Sequence, residues 1–179
     1  MNYSDVFVEL PLFYAVSSAE IFAAGAVATL NALNASFISF GCENADIQML
    51  KKIAITLVNE PDEYKKHLKK ALTCGDSFPT ARAKALSEFF KSDDISRLIS
   101  SPNNILAIEY IKEIIKSESA VTPVALTRKI SGYHDSEIHE NIASASAIRK
   151  ILHDSGIHKN NDSRCKNIKE LQNVMPEAM

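Results

Sequence analysis

The chain has 179 residues, 46% of them hydrophobic and 23% charged, with a formal net charge of −2. That length is one domain, or one domain with an appendage, and the near-neutral balance argues against a general nucleic-acid binder. Three isolated cysteines, Cys42, Cys74 and Cys165, form no CxxC pair and no even framework, which fits a reducing cytosol better than a disulfide scaffold.

Met1 is followed by polar residues and no basic leader, so no signal peptide is expected. The longest apolar run, IFAAGAVATLNAL, is too short and too broken to span a bilayer. The expectation is a cytoplasmic protein with no membrane partner. DVFVELP reads as a short strand bounded by Asp5 and Pro11. SSAEIFAAGAVATLNAL follows as a helix, with Ser17 and Glu20 spaced as a capping box. Gly25 lowers the propensity of that helix and predicts a close packing contact. ASFISFG reads as a second buried strand ending at Gly41.

The middle is helical. DIQMLKKIAITLV places Ile47, Leu50, Ile53 and Leu57 near the 3.6-residue period. Pro61 opens the next helix and Gly75 stops it, and Pro79 opens another. SPNNILAIEYIKEIIK has Ser101 as a cap, Pro102 at its first position, and a stripe of Ile105, Ile108, Ile111 and Ile115. TPVALTRK predicts a third strand. ISGYHDSEIHEN predicts a polar loop, and SASAIRKILHDSG a helix from Ser144 to Gly156. The tail from Arg149 to Glu170 is locally basic.

IASASAIR, residues 142–149, is the main candidate site. A strand–loop–helix context leaves free N–H groups at the helix start, and with the helix dipole these make an anion site. Small residues let a phosphate reach the backbone. Ser144 and Ser146 add hydroxyl donors, and Arg149 lies a turn further on. On spacing alone, a plain serine cap explains the same residues. Asn103 and Asn104 either cap their helix or turn an amide toward a ligand. Arg128 ends a strand, where ligands bind in open α/β sheets; a surface ion pair is the alternative. Gly41 also ends a strand, as a turn glycine or as a point of close backbone approach. His134, Asp135, Glu137 and His139 do not make a metal site, because histidines five apart do not share a helical face. There is no GxSxG elbow, P-loop or GxGxxG.

The segments DVFVELPLFYAVSSAEIFAAGAVATLNAL, FGCENADI, SPNNILAIEYI, TRKISGYHD and IASASAIRK occur in this order. Together they resemble the bacterial tRNA(Met) cytidine acetate ligases, a nucleotidyltransferase-like family, from about Asp5 to Lys150. IASASAIR looks like that family's version of the I-S-S-T-x-I-R signature, with Ser146 in place of the usual Thr. The resemblance implies a Rossmann-like α/β nucleotidyltransferase fold: a mainly parallel sheet flanked by helices, with a helical insertion. It also implies an ATP-dependent ligase. Acetate and ATP give acetyl-adenylate, and the acetyl group passes to the wobble cytidine of elongator tRNA(Met). ATP is a substrate, with Mg2+ as its expected companion. Gly41, Asn103 and Arg128 match positions that contact ATP; Ser144, Ser146 and Arg149 match the phosphate signature. No catalytic residue is assigned.

One departure is clear. The family's H-x-G-H motif is missing: among His67, His134, His139, His153 and His158 no two are spaced two apart. The resemblance therefore implies an internal piece of the enzyme. Residues 1–156 would be a partial catalytic domain and 157–179 the start of a truncated C-terminal region. Weak activity alone is expected, with a separate N-terminal segment or self-association covering an open strand edge. Two other readings stay open: a catalytically dead nucleotide- or tRNA-binding remnant, and an interaction protein whose partner completes its sheet.

Overall fold

The computed structural model describes residues 6–128, 149, 150 and 153. They fall into two units, Val8–Thr127 and the residues outside it. Along the larger unit run α1 (Leu12–Ala15), α2 (Ala19–Ala32), β1 (Phe37–Cys42), α3 (Ile47–Asn59), α4 (Asp62–Thr73), α5 (Phe78–Phe90), α6 (Asp94–Ser100), α7 (Pro102–Lys116) and β2 (Thr122–Thr127). The strands pair in parallel, from Phe37 opposite Thr122 to Cys42 opposite Thr127. Five helices, α3 to α7, are inserted between them, so the fold is α/β with a parallel ladder and a helical insertion.

Side chains alternate across a strand, and here the two faces differ. Ile38 and Cys42 are buried, and Phe40 and Ala125 pack with them against the helices. Cys42 belongs to a core with Leu50 and Ile53 of α3, Leu86 of α5, and Ala107, Ile108 and Ile111 of α7. A smaller cluster joins Ile38 to Val27 of α2, Ile114 and Val121. Phe40 stacks on Tyr110, with ring centroids 5.6 Å apart. The other face leaves Phe37, Val124 and Leu126 exposed.

Several expectations hold. Leu50 and Ile53 are buried in α3, and Asp46 caps that helix by accepting from the backbone N–H groups of Gln48 and Met49. Gly75 follows α4 with φ +88°, a left-handed conformation suited to glycine. Gly25 is a true close approach, since a Cβ there would lie 2.4 Å from Cγ of Tyr14.

Other details differ. Val6–Leu10 are not in a strand, and among the described residues the one ladder joins β1 and β2. The capping box at Ser17 does not form. Ser18 is the N-cap and makes no side-chain cap bond, Ser17 Oγ donates to the Phe13 carbonyl, and Glu20 pairs with Lys116 and Lys112 instead. Ser101 is the cap residue of α7, also without a side-chain bond. The buried stripe of α7 runs through Ile108, Ile111 and Ile114, with Ile105 and Ile115 only half-buried. This helix packs against α2, α3, α6 and both strands, so its buried surface is broader than one stripe. α6 is an additional short helix.

Candidate functional site

β1 ends at Cys42 and the chain turns through Glu43 and Asn44 beside the N-terminus of α7. Pro102 suits the first turn of that helix, since it has no N–H to leave unsatisfied. The free N–H groups of the turn are then met from the strand end. Glu43 Oε2 accepts from the backbone N–H of Asn104 at 3.2 Å, and Glu43 Oε1 accepts from Asn103 Nδ2 at 2.6 Å. A carboxylate is favourable there because the helix dipole is positive at that end.

Asn104 returns the interaction. Its Oδ1 accepts from the backbone N–H of Glu43 at 3.0 Å and of Asn44 at 3.1 Å, while Nδ2 donates to the Leu98 carbonyl at 2.9 Å. The side chain is buried, at 1% exposure, so these bonds replace water completely. One amide thus ties the end of β1, the end of α6 and the start of α7 together. Glu43 is the residue of this corner that the sequence did not single out, and Asn104, read there as a cap or a ligand-facing amide, instead spends its amide on Glu43, Asn44 and Leu98. The available signal was a polar pair directly after a buried strand and a double Asn after a helix-opening Pro.

Gly41 sits one residue before the buried Cys42, opposite Leu126 and exposed on the open face. Asn103 is half-buried at the corner. The strand end and the helix start that carry these two candidates are therefore joined directly. Burial, with Glu43 nearby, pushes the Cys42 thiol up, which makes it a packing group rather than a nucleophile. Arg128 follows β2 and is exposed; Arg149 is exposed and helical. Ser144 and Ser146 lie outside the described residues, as do His134, Asp135, Glu137 and His139. Among the described residues no three His, Cys, Asp or Glu side chains gather as a metal site. No helix among them is long and apolar enough to cross a membrane.

Parallel strands whose C-terminal ends meet a helix N-terminus define an α/β domain of the kind that receives ligands at its strand ends. A sequence model of the HIGH nucleotidyl transferases matches residues 1–179, and the chain belongs to that family. Among its relatives is a protein of Clostridium novyi named tRNA(Met) cytidine acetate ligase, 40% identical over 174 residues, covering 96% of this chain and 41% of the relative. A protein of that name from Clostridium perfringens is 44% identical over 167 residues, covering 88% and 42%. The apo crystal structure of Thermotoga maritima TmcAL matches with a TM-score of 0.80 at 31% identity, covering 94% of this chain and 38% of that one. TmcAL bound with alpha-thio ATP matches with a TM-score of 0.71 at 32% identity, covering 83% and 35%. The chain thus spans about two fifths of the length of these relatives.

Proposed function

We propose that this chain forms part of the ATP-handling domain of a cytoplasmic tRNA(Met) cytidine acetate ligase. In the reaction, an acetate oxygen attacks the α-phosphorus of ATP and pyrophosphate leaves. The exocyclic amine of the wobble cytidine of elongator tRNA(Met) then attacks the acetyl carbonyl, and AMP leaves. The observation that carries this reading is the corner where Glu43, Asn103 and Asn104 lock the Gly41 strand end to the start of α7. It is supported by the likeness to a structure bound with alpha-thio ATP.

Gly41 and Asn103 are the proposed ATP contacts of this unit. Arg128, Ser144, Ser146 and Arg149 are proposed as phosphate-facing groups on the strength of the resemblance. Chemistry of this kind rests on positioning and on cations around the phosphates. The amide and N–H donors around Glu43 hold its carboxylate at the helix, which limits its repulsion of a triphosphate. Mg2+ keeps several waters and binds largely through substrate phosphates, so it needs no dedicated protein cage.

The open sheet face favours one addition. Parallel sheets are normally covered on both sides, yet Phe37 is 64% and Leu126 56% exposed. Among the described residues each strand also has only one neighbour. We infer that a separate segment, or a second copy, covers this surface, and that the 179-residue chain alone has weak activity. The test is pyrophosphate release from ATP with and without acetate, and acetylation of tRNA(Met), for this chain alone and with the N-terminal segment of a relative added. Acetate-dependent release that rises on addition supports the reading. No acetate-dependent release in either case contradicts it.

A further inference from the structure

The outer face of α4 takes no part in the corner described above. Tyr64 and Ala71 bury the inner face, and Tyr64 meets Phe89 of α5 edge-on with centroids 6.5 Å apart. Lys65, Lys66, Lys69 and Lys70 are all exposed. With 3.6 residues per turn, Lys65 stacks over Lys69 and Lys66 over Lys70, away from Tyr64.

None of the four makes an ion pair or a side-chain hydrogen bond among the described residues. Lys84, Lys112 and Lys116 are each matched to a carboxylate, whereas Lys51, Lys52 and Lys91, like these four, are not matched among the described residues; only on α4 do four such lysines share one face. Like charges four apart on a helix repel one another. The fold therefore keeps a locally unfavourable cationic stripe, in a chain whose formal net charge is −2. Asp62 and Glu63 occupy the first turn of α4, and Lys70 the last, as the helix dipole favours. That arrangement accounts for Lys70, and Asp62 and Glu63 stand three or four residues before Lys65 and Lys66, but no carboxylate of α4 stands at such a spacing from Lys69. A solvated face would be served as well by alternating Lys and Glu, which attract rather than repel.

We propose that the Lys65, Lys66, Lys69 and Lys70 face of α4 docks the sugar–phosphate backbone of a structured RNA. The proposal rests on the tRNA reading above and adds to it a surface away from the nucleotide corner. Contacts to phosphate give affinity and orientation without reading sequence. Lysine suits this task as a mobile point charge.

The test is fluorescence anisotropy of labelled tRNA(Met) transcript with the 179-residue chain, between about 50 and 200 mM salt. The variants are the fourfold Lys→Gln and fourfold Lys→Arg changes on this face, with Arg97→Gln as a surface-charge control. The proposal expects the Gln variant to bind more than about tenfold more weakly at low salt and its salt slope to fall by about three to four. The Arg variant and the control should bind like the wild type, and circular dichroism should show all of them folded. Equal binding by the wild type and the Gln variant would overturn the α4 surface while leaving the ligase reading intact. So would the absence of any RNA binding by the wild type. Preference for vesicles of anionic lipid over tRNA would overturn it in favour of a membrane surface. Acetate-dependent pyrophosphate release, measured in parallel, reports on the ligase reading independently.

Discussion

Glu43 at the end of β1 and Asn103 in the first turn of α7 are joined by a 2.6 Å hydrogen bond, Asn103 Nδ2 donating to Glu43 Oε1. Beside it the buried Asn104 bonds back to the chain at Glu43 and Asn44. The corner is closed from both sides, and its stability should depend more on the buried partner than on the exposed one.

Asn104→Ala should therefore be costly. It leaves two backbone N–H groups and the Leu98 carbonyl without their partner, and the expected loss is about 2–4 kcal/mol. Glu43→Gln keeps one acceptor oxygen and turns the other into a donor, so one of the two bonds is lost; at this exposed position water replaces it, and the cost should be about 1 kcal/mol. Urea denaturation of the two variants checks the order. Equal losses would mean that the corner is not held by Asn104.

The five-membered charge network behaves differently at its two ends. Glu109, 5% exposed at its side chain, accepts from Arg82 at 3.0 Å and from Lys112 at 2.6 Å. Glu109→Leu takes the carboxylate from Arg82 and leaves the buried Lys112 only the longer 3.5 Å pairing with Glu20, and should cost about 3–5 kcal/mol. Lys112→Met leaves Glu109 paired with Arg82 and should cost clearly less. Denaturation midpoints with unchanged slopes would show this difference; the reverse order would contradict it.

At the exposed end, the Lys116 hydrogen bond lowers the pKa of Glu20 below its ordinary 4.5, with the charge of Lys112 adding to it, against a smaller opposing effect of burial. A carboxylate whose folded pKa is depressed contributes stability above its unfolded pKa and loses it as pH falls through the folded value. Glu20 is 57% exposed, so solvent and salt screen the effect. The stability gap between the wild type and Glu20→Gln should be present at neutral pH and shrink on acidification below about 4.5. It should also narrow in high salt. A gap that does not change with pH would place the contribution of Glu20 in packing.

Gly25→Ala tests the contact between α1 and α2. The added methyl would meet the root of the Tyr14 ring at 2.4 to 2.8 Å, where a simple rotation gives little relief. Overpacking of this kind costs about 1–3 kcal/mol, more than the gain in helix propensity. Tyr14→Ala should relieve the clash, so the double variant should lose less than the sum of the singles. Strict additivity would show that the two do not press on each other.

The sequence carried much of this fold because local signals agreed with it. Pro61, Gly75, Pro79 and Pro102 punctuate helices by backbone geometry, and SFISF and TPVALT have the apolar character of buried parallel strands. What it could not carry was whatever depends on a partner distant in sequence. DVFVEL has strand composition, but a strand exists only beside another, and among the described residues the ladder joins β1 and β2 without Val6–Leu10. The Ser17 and Glu20 spacing suits a capping box, yet Lys116, 96 residues away, takes the carboxylate. α3 and α5 end with Glu60 and Lys91 in left-handed conformations, where no glycine announces the stop. At the candidate site Asn103 and Gly41 stood out by position, while Glu43 and Asn104 act through contacts some 60 residues apart.

The most direct test of the account is calorimetric titration of ATP and adenosine into the wild-type chain, Gly41→Val and Arg149→Gln. If adenine nucleotide lies at the Gly41 strand end, the wild type binds ATP saturably. Gly41→Val should then weaken ATP and adenosine together by more than about tenfold, as a close backbone approach is lost. Arg149→Gln should weaken ATP more than adenosine, because a charge-assisted contact to phosphate is lost. No saturable ATP binding by the wild type, or wild-type affinity in a folded Gly41→Val chain, would contradict the account.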